Sequence, residues 1–178
     1  MKMKFILFAA VVSFAAILFL FAASYLNAKI VGQLFGGDEN VAIIANPISV
    51  KAWRTVGSLK TKSLRRKDDY YLKSGEAILV STDLAKQLSK VLLNEHSYGG
   101  GKLCAPAPVV VVTFSNGKKD VNIYFCFECD ILVVTTDGKS ASDRFHLSQG
   151  AFDPSRTKLL RIVKKIFPKD PQIQSLDE

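Results

Sequence analysis

From Phe5 to Leu26 the chain runs 22 residues without a charge, behind Lys2 and Lys4 and ahead of Lys29. A positive start, an apolar run and small residues follow the order of an export segment. The apolar region of a cleaved signal peptide spans about 7–15 residues, whereas a membrane span needs about 20. Length therefore favours a retained anchor. The small-x-small site Ala22-Ala23-Ser24 supplies the cleaved alternative. No polar stripe interrupts the run, as a helix on a globular surface would require. Lys2 and Lys4 predict a cytoplasmic N-terminus and an outer-side domain, because positive flanks stay inside.

Behind this segment the pattern changes to short runs punctuated by turn residues. Residues 29–40 contain Gly32, Gly36 and Gly37 and read as a juxtamembrane linker. Val41 to Ile44 reads as a short strand broken by Asn46-Pro47. Val50 to Leu59 reads as a strand that carries Trp53 into the core. A polar, basic loop follows, then extended segments at Tyr70 to Leu72 and Ala77 to Val80. Ser81 and Thr82 suit a helix start, and Leu84, Leu88, Val91 and Leu92 form one helical face behind them. Val109 to Phe114 and Val121 to Phe127 flank Asn116-Gly117, a strong hairpin signal. Ile131 to Thr135 adds a third strand. Asp153-Pro154 predicts a helix with an acidic cap and proline in its first turn. Leu159, Ile162, Val163, Ile166 and Phe167 form its apolar face, and Pro168 ends it.

These elements predict an α+β fold. A mainly antiparallel sheet of three to five strands is covered by amphipathic helices near residues 82–94 and 154–167. The expected organisation is a signal anchor or signal peptide over 1–28, the linker over 29–40, the α+β domain over 41–168, and a loose polar tail over 169–178.

Charge adds a partner class. Without residues 1–28 the chain keeps 22 basic and 16 acidic residues. An excess of this kind favours anionic lipid or an envelope polymer. The candidate residues are Arg65, Arg66 and Lys67 in the loop and Arg161, Lys164 and Lys165 on the last helix. A solvated basic surface is the plain alternative. No nucleic acid is expected on the outer side of a membrane, and the protein partner is left open.

The candidate chemistry lies in Cys104, Cys126 and Cys129. A two-residue Asn116-Gly117 turn makes facing residues sum to 233, so Val112 faces Val121 and Val110 faces Ile123. Extending that ladder brings Cys104 opposite Cys129, although Pro106 and Pro108 cannot donate to it. Three readings stay open. One is a structural disulfide from Cys104 to Cys129 or to Cys126, which suits an oxidising compartment. Another is a redox-active Cys126-x-x-Cys129, but strand-like sequence follows where such motifs place a helix. The third is a zinc site of the three thiolates with His96 or His146, of which His96 is the favoured fourth ligand. No catalytic residue is assigned. Gly99-Gly100-Gly101-Lys102 lacks the spacing of a phosphate loop.

At Cys104-Ala105-Pro106, the Asn116-Gly117 hairpin and Phe125-Cys126-Phe127-Glu128-Cys129, the chain resembles a loose group of uncharacterised bacterial exported proteins. The resemblance covers residues 102–134 and implies a bacterial origin and a structural weight on the cysteine hairpin. It brings no activity with it. The sequence-based expectation is thus a membrane-anchored or exported envelope module that binds rather than catalyses. Its location is the periplasmic face of a bacterial inner membrane, or beyond it after cleavage. The alternative is a thiol-redox or zinc-dependent protein centred on the cysteines.

Overall fold

The computed structural model describes residues 31–57, 71–99, 102, 104, 106–136 and 151–177. The fold is α+β. Five strands, β1 (Ser49–Gly57), β2 (Tyr71–Leu79), β3 (Val110–Ser115), β4 (Asp120–Cys126) and β5 (Ile131–Thr136), form one sheet in the order β2-β1-β3-β4-β5. Every neighbouring pair is antiparallel. The helices are α1 (Asp38–Ala45), α2 (Thr82–Leu92), α3 (Arg156–Ile166) and the short α4 (Pro171–Gln174).

Alternation along the strands divides the sheet into two faces. Val50, Ala52, Val110, Val112, Phe114, Val121, Ile123, Phe125, Leu132 and Val134 point to one face and pack with α1, α2 and α3 in a single core. Ser81 caps α2 by accepting from Leu84 N, and Ala85, Leu88 and Leu92 turn inward. Leu159, Leu160, Ile162, Val163 and Ile166 do the same on α3. The opposite face is mixed. Trp53, expected in the core, is only half-buried there, because its position on β1 is one out of step with Ala52. The Lys73 ammonium lies 4.0 Å from the Trp53 ring centroid. It also donates to Thr113 Oγ1 at 3.1 Å and Asn122 Oδ1 at 3.2 Å.

Four further expectations are corrected. The run Val41 to Ile44 is helical, not a strand. Asn40, Ile43 and Ile44 share its buried side, and short apolar runs do not distinguish the two periods. The stretch read as a linker is not one, since residues 31–35 are helical and Val31, Leu34 and Phe35 enter the core. Their i, i+3, i+4 spacing outweighs the nearby glycines. The tail is docked rather than loose. Asp170 caps α4, Ile173 is fully buried, and Gln174 donates to Lys164 O and Phe167 O. Arg54 Nε holds Asp170 at 3.3 Å from below. Finally, the β3–β4 register is two residues away from the expected one, with Val112 facing Ile123 and Ser115 facing Asp120. Asn116 makes a four-residue loop by accepting from Lys118 N and Lys119 N, and Gly117 takes a positive φ of 82°. A shift of two leaves every side chain on its predicted face.

The first hydrophobic segment, residues 1–28, lies outside the described residues. Among the described residues no helix is long and apolar enough to cross a membrane.

Candidate functional site

At the cysteine turn, charged side chains from separate parts of the chain meet. β4 ends at Cys126, the turn occupies 127–130, and β5 begins opposite Cys126 at Ile131. Asp130 closes the turn with a φ of 54°, a left-handed conformation that aspartate tolerates better than most residues. Its carbonyl accepts from Phe152 N at 2.7 Å, which ties the turn to the entry of α3.

One guanidinium spans the turn. Arg156 Nη1 donates to Phe127 O and to Asp130 Oδ1, both at 2.8 Å, while Nη2 donates to Asp177 O at 2.7 Å. Lys102 Nζ donates to Asp130 Oδ2 at 3.1 Å and also pairs with Asp153. The Asp153 hydrogen bond, followed by the Asp130 contacts, holds the Lys102 ammonium above its ordinary pKa of 10.5. Asp153 was expected to cap the helix. No side-chain cap is made there, and α3 is instead preceded by a short 3₁₀ turn over Asp153–Ser155. Beneath the charges, Phe152 packs edge-on to Phe125 and Phe127, with ring centroids 6.1 and 5.4 Å away.

The cysteines divide into a pair and a single thiol. Cys104 and Cys129 stand at disulfide-bonding distance, with Cα atoms 6.2 Å apart. The exposed Cys104 and the buried Cys129 thereby join the segment before β3 to the turn. Lys102 and Cys104 thus meet consecutive points of the turn, one by an ion pair to Asp130 and one at disulfide-bonding distance from Cys129. Cys126 remains a free, fully buried thiol, packed with Cys129 and Ile131. Its sulfur accepts from Ala107 N at 3.3 Å. The Cys126-x-x-Cys129 motif therefore lies across a β-turn and not at a helix start. The helix-dipole activation of thioredoxin-like motifs has no counterpart in that geometry.

His96 stands on a 3₁₀ turn after α2, with its side chain 84% exposed and Nε2 3.8 Å from Glu95. His146 lies outside the described residues. Among the described residues no three His, Cys, Asp or Glu side chains gather to hold a metal ion.

Of the basic candidates, Arg65, Arg66 and Lys67 lie outside the described residues. Arg161 and Lys165 are exposed on α3, and Lys164 is half-buried. The sequence reading missed two kinds of residue. Lys86 and Lys90 are exposed on α2, and a helical plot of that helix would have found them; Lys158, on the basic face read for the last helix, is exposed beside Arg161. Asp130, Arg156, Lys102 and Asp153 were not readable as a cluster, because up to 51 residues of chain separate the members that meet, as between Lys102 and Asp153.

Compared with protein-family models, curated proteins and solved structures, the chain matches none. The residues of the site carry the functional argument by themselves.

Proposed function

We propose that the chain is a small envelope module, held at or released from the outer face of a bacterial inner membrane, that binds a partner and is stapled at its cysteine turn. The observation that supports this reading is the Cys104–Cys129 pair. Disulfides persist in oxidising compartments and are rare in the bacterial cytosol. A lysine-led apolar run of 22 residues precedes this pair, which is the route into such a compartment. The resemblance to bacterial exported proteins belongs to the same reading. Binding is favoured over catalysis because the charged groups at the turn, Lys102, Asp130, Asp153 and Arg156, satisfy one another. They build the turn instead of facing a substrate.

Intact mass of protein from native membranes, non-reduced and with and without alkylation, tests it. Because Cys126 is fully buried, alkylation is done in denaturant without reductant, and one alkylatable thiol, assigned to Cys126, is expected. Full-length mass identifies an anchored form and a shortened one a processed form. Three alkylatable thiols would sink the staple and the oxidising compartment with it.

The contact of Cys126 with Cys129 favours a second reading, thiol exchange. The Cys126 thiolate attacks Cys129 Sγ, the Cys104–Cys129 bond breaks, and Cys104 leaves as a thiolate. No net oxidation occurs, because one disulfide replaces another. A Cys126–Cys129 bond found by peptide mapping would promote this reading. Its zinc version needs the reduced chain, with three thiolates and His96 as ligands. Stoichiometric zinc in purified protein is its test.

A further inference from the structure

Helices α2 and α3 lie side by side over the same face of the sheet and share one core. Their inner sides are apolar. Their outer sides expose Lys86 and Lys90 from α2 and Lys158, Arg161 and Lys165 from α3. Asp83 is the exposed acid on these two helices. The outer surface of the helical layer is therefore cationic along both helices, while acids such as Asp130 are turned into the cysteine turn.

The same layer is where the chain enters the domain. Val31, Leu34 and Phe35 pack in the core with α2 and α3. The Phe35 ring meets Tyr98 at 6.4 Å, and Asn40 Nδ2 bonds Phe35 O at 2.7 Å. Ser89 Oγ on α2 donates to Ile44 O on α1 at 2.6 Å, which fixes the entering segment beside α2. The apolar run ends at Leu26, so residues 27–30 alone separate it from Val31. Fully extended, that tether reaches about 18 Å. A helix with its side chains is about 10–12 Å across, and charges act over a Debye length of about 8 Å at physiological salt. A tether of that maximum reach keeps the helical layer close to the membrane and leaves its outer face able to come into electrostatic range of the headgroups.

We infer that the outer face of α2 and α3 docks on anionic phospholipid of the membrane that holds the N-terminal segment. The inference rests on the anchored form of the proposed function and names its partner. Lys86, Lys90, Lys158, Arg161 and Lys165 bind lipid phosphates as a distributed cationic surface, and their aliphatic stems lie along the headgroup layer. The mixed face of the sheet, with Trp53 and Lys73, then points away from the bilayer and is open to the envelope.

Lysine footprinting of the full-length chain tests this. The protein is reconstituted into phosphatidylcholine vesicles with or without phosphatidylglycerol and treated with a water-soluble acetylating reagent. With phosphatidylglycerol, acetylation of Lys86, Lys90, Lys158 and Lys165 is expected to fall several-fold and to recover at high salt. Lys51 and Lys118, exposed away from the helical layer, serve as unchanged references. Substituting Lys158→Gln and Lys165→Gln removes two exposed charges without touching the core. It should lower the ratio of docked to undocked protein roughly 25-fold, about fivefold for each charge. Equal protection on phosphatidylcholine, or a double variant that docks like the wild type, overturns lipid docking. Protection by a soluble polyanion but not by vesicles assigns the face to an envelope polymer and overturns it as well. A chain that floats with neither vesicle shows that the anchor reading has failed, and docking fails with it. A chain that floats with both but shows no protection overturns docking alone.

Discussion

Two turns bracket β4, and they are held in opposite ways. At 116–119, Asn116 restrains the backbone from within the loop, through Lys118 N and Lys119 N, and Gly117 supplies the left-handed backbone, while the contact from outside is an ion pair of the Lys119 side chain with the exposed Glu39. At 127–130 the restraints come from elsewhere in the chain. Arg156, Lys102, Phe152 and Cys104 all hold that turn from outside it. A locally closed turn costs little loop entropy, whereas a turn closed by distant residues draws its stability from the rest of the fold. The first turn registers the hairpin. The second fastens the hairpin to α3 and to the segment before β3.

The contrast can be broken most sharply at Phe152. Phe152→Ala empties a fully buried site between Phe125 and Phe127 and should cost about 4 kcal/mol in urea unfolding. A loss as small as that of a surface substitution would mean that the turn does not lean on α3. Cys104→Ser opens a staple that closes 25 residues of sequence and should cost about 3 kcal/mol, read as a lower urea midpoint. Equal midpoints for the oxidised wild type and the variant would contradict the staple. Asn116→Ala removes a local acceptor and should cost about 1 kcal/mol. Its effect should be the same within about 0.5 kcal/mol in the Cys104→Ser background, since Lys118 N and Lys119 N, which Asn116 bonds, lie at the other end of β4 from Cys129. A larger coupling energy would merge them into one unit. The smallest effect concerns pH. Lys102 has a raised pKa in the fold, so its contribution is complete below 10.5 and disappears as pH climbs through the higher folded value. Replacing Lys102 with methionine should flatten that alkaline limb in thermal melts, and an unchanged limb would assign it to other groups.

Legibility in the sequence followed the same divide. Strands β3 to β5 and helices α2 and α3 were readable because their signals are short in range: a turn dipeptide, a cap, a periodic apolar face. Even the two-residue error in the hairpin kept the core residues on the right side, since side chains alternate with period two. The helix of Asp38 to Ala45 was misread as a strand because four consecutive apolar residues fit either period. Residues 31–35 and Ile173 were assigned to linker and tail because glycines and polar neighbours masked single apolar contacts. At the candidate site the three cysteines stood out by type. The ladder argument brought Cys104 towards Cys129, yet the true register would have carried it past. The chain before Val109 leaves the ladder at Pro108 and Pro106, and that departure returns Cys104 to the turn. Asp130 and Arg156 gave no local sign, since a left-handed aspartate and a half-buried arginine look ordinary in sequence.

The position of β1 has a consequence for tempo. This strand lies between β2 and β3, so it is fixed only after β3, more than 50 residues later in the chain, has paired with it. Its Arg54 then waits for Asp170 and Gln172, the latter 118 residues away. Chains whose contacts span such distances fold more slowly than those built of neighbours. Strands β1 and β2 can pair by themselves as a hairpin, but β1 gains its second neighbour only once the chain beyond residue 110 is present, so the centre of the sheet is the last part of it to be completed.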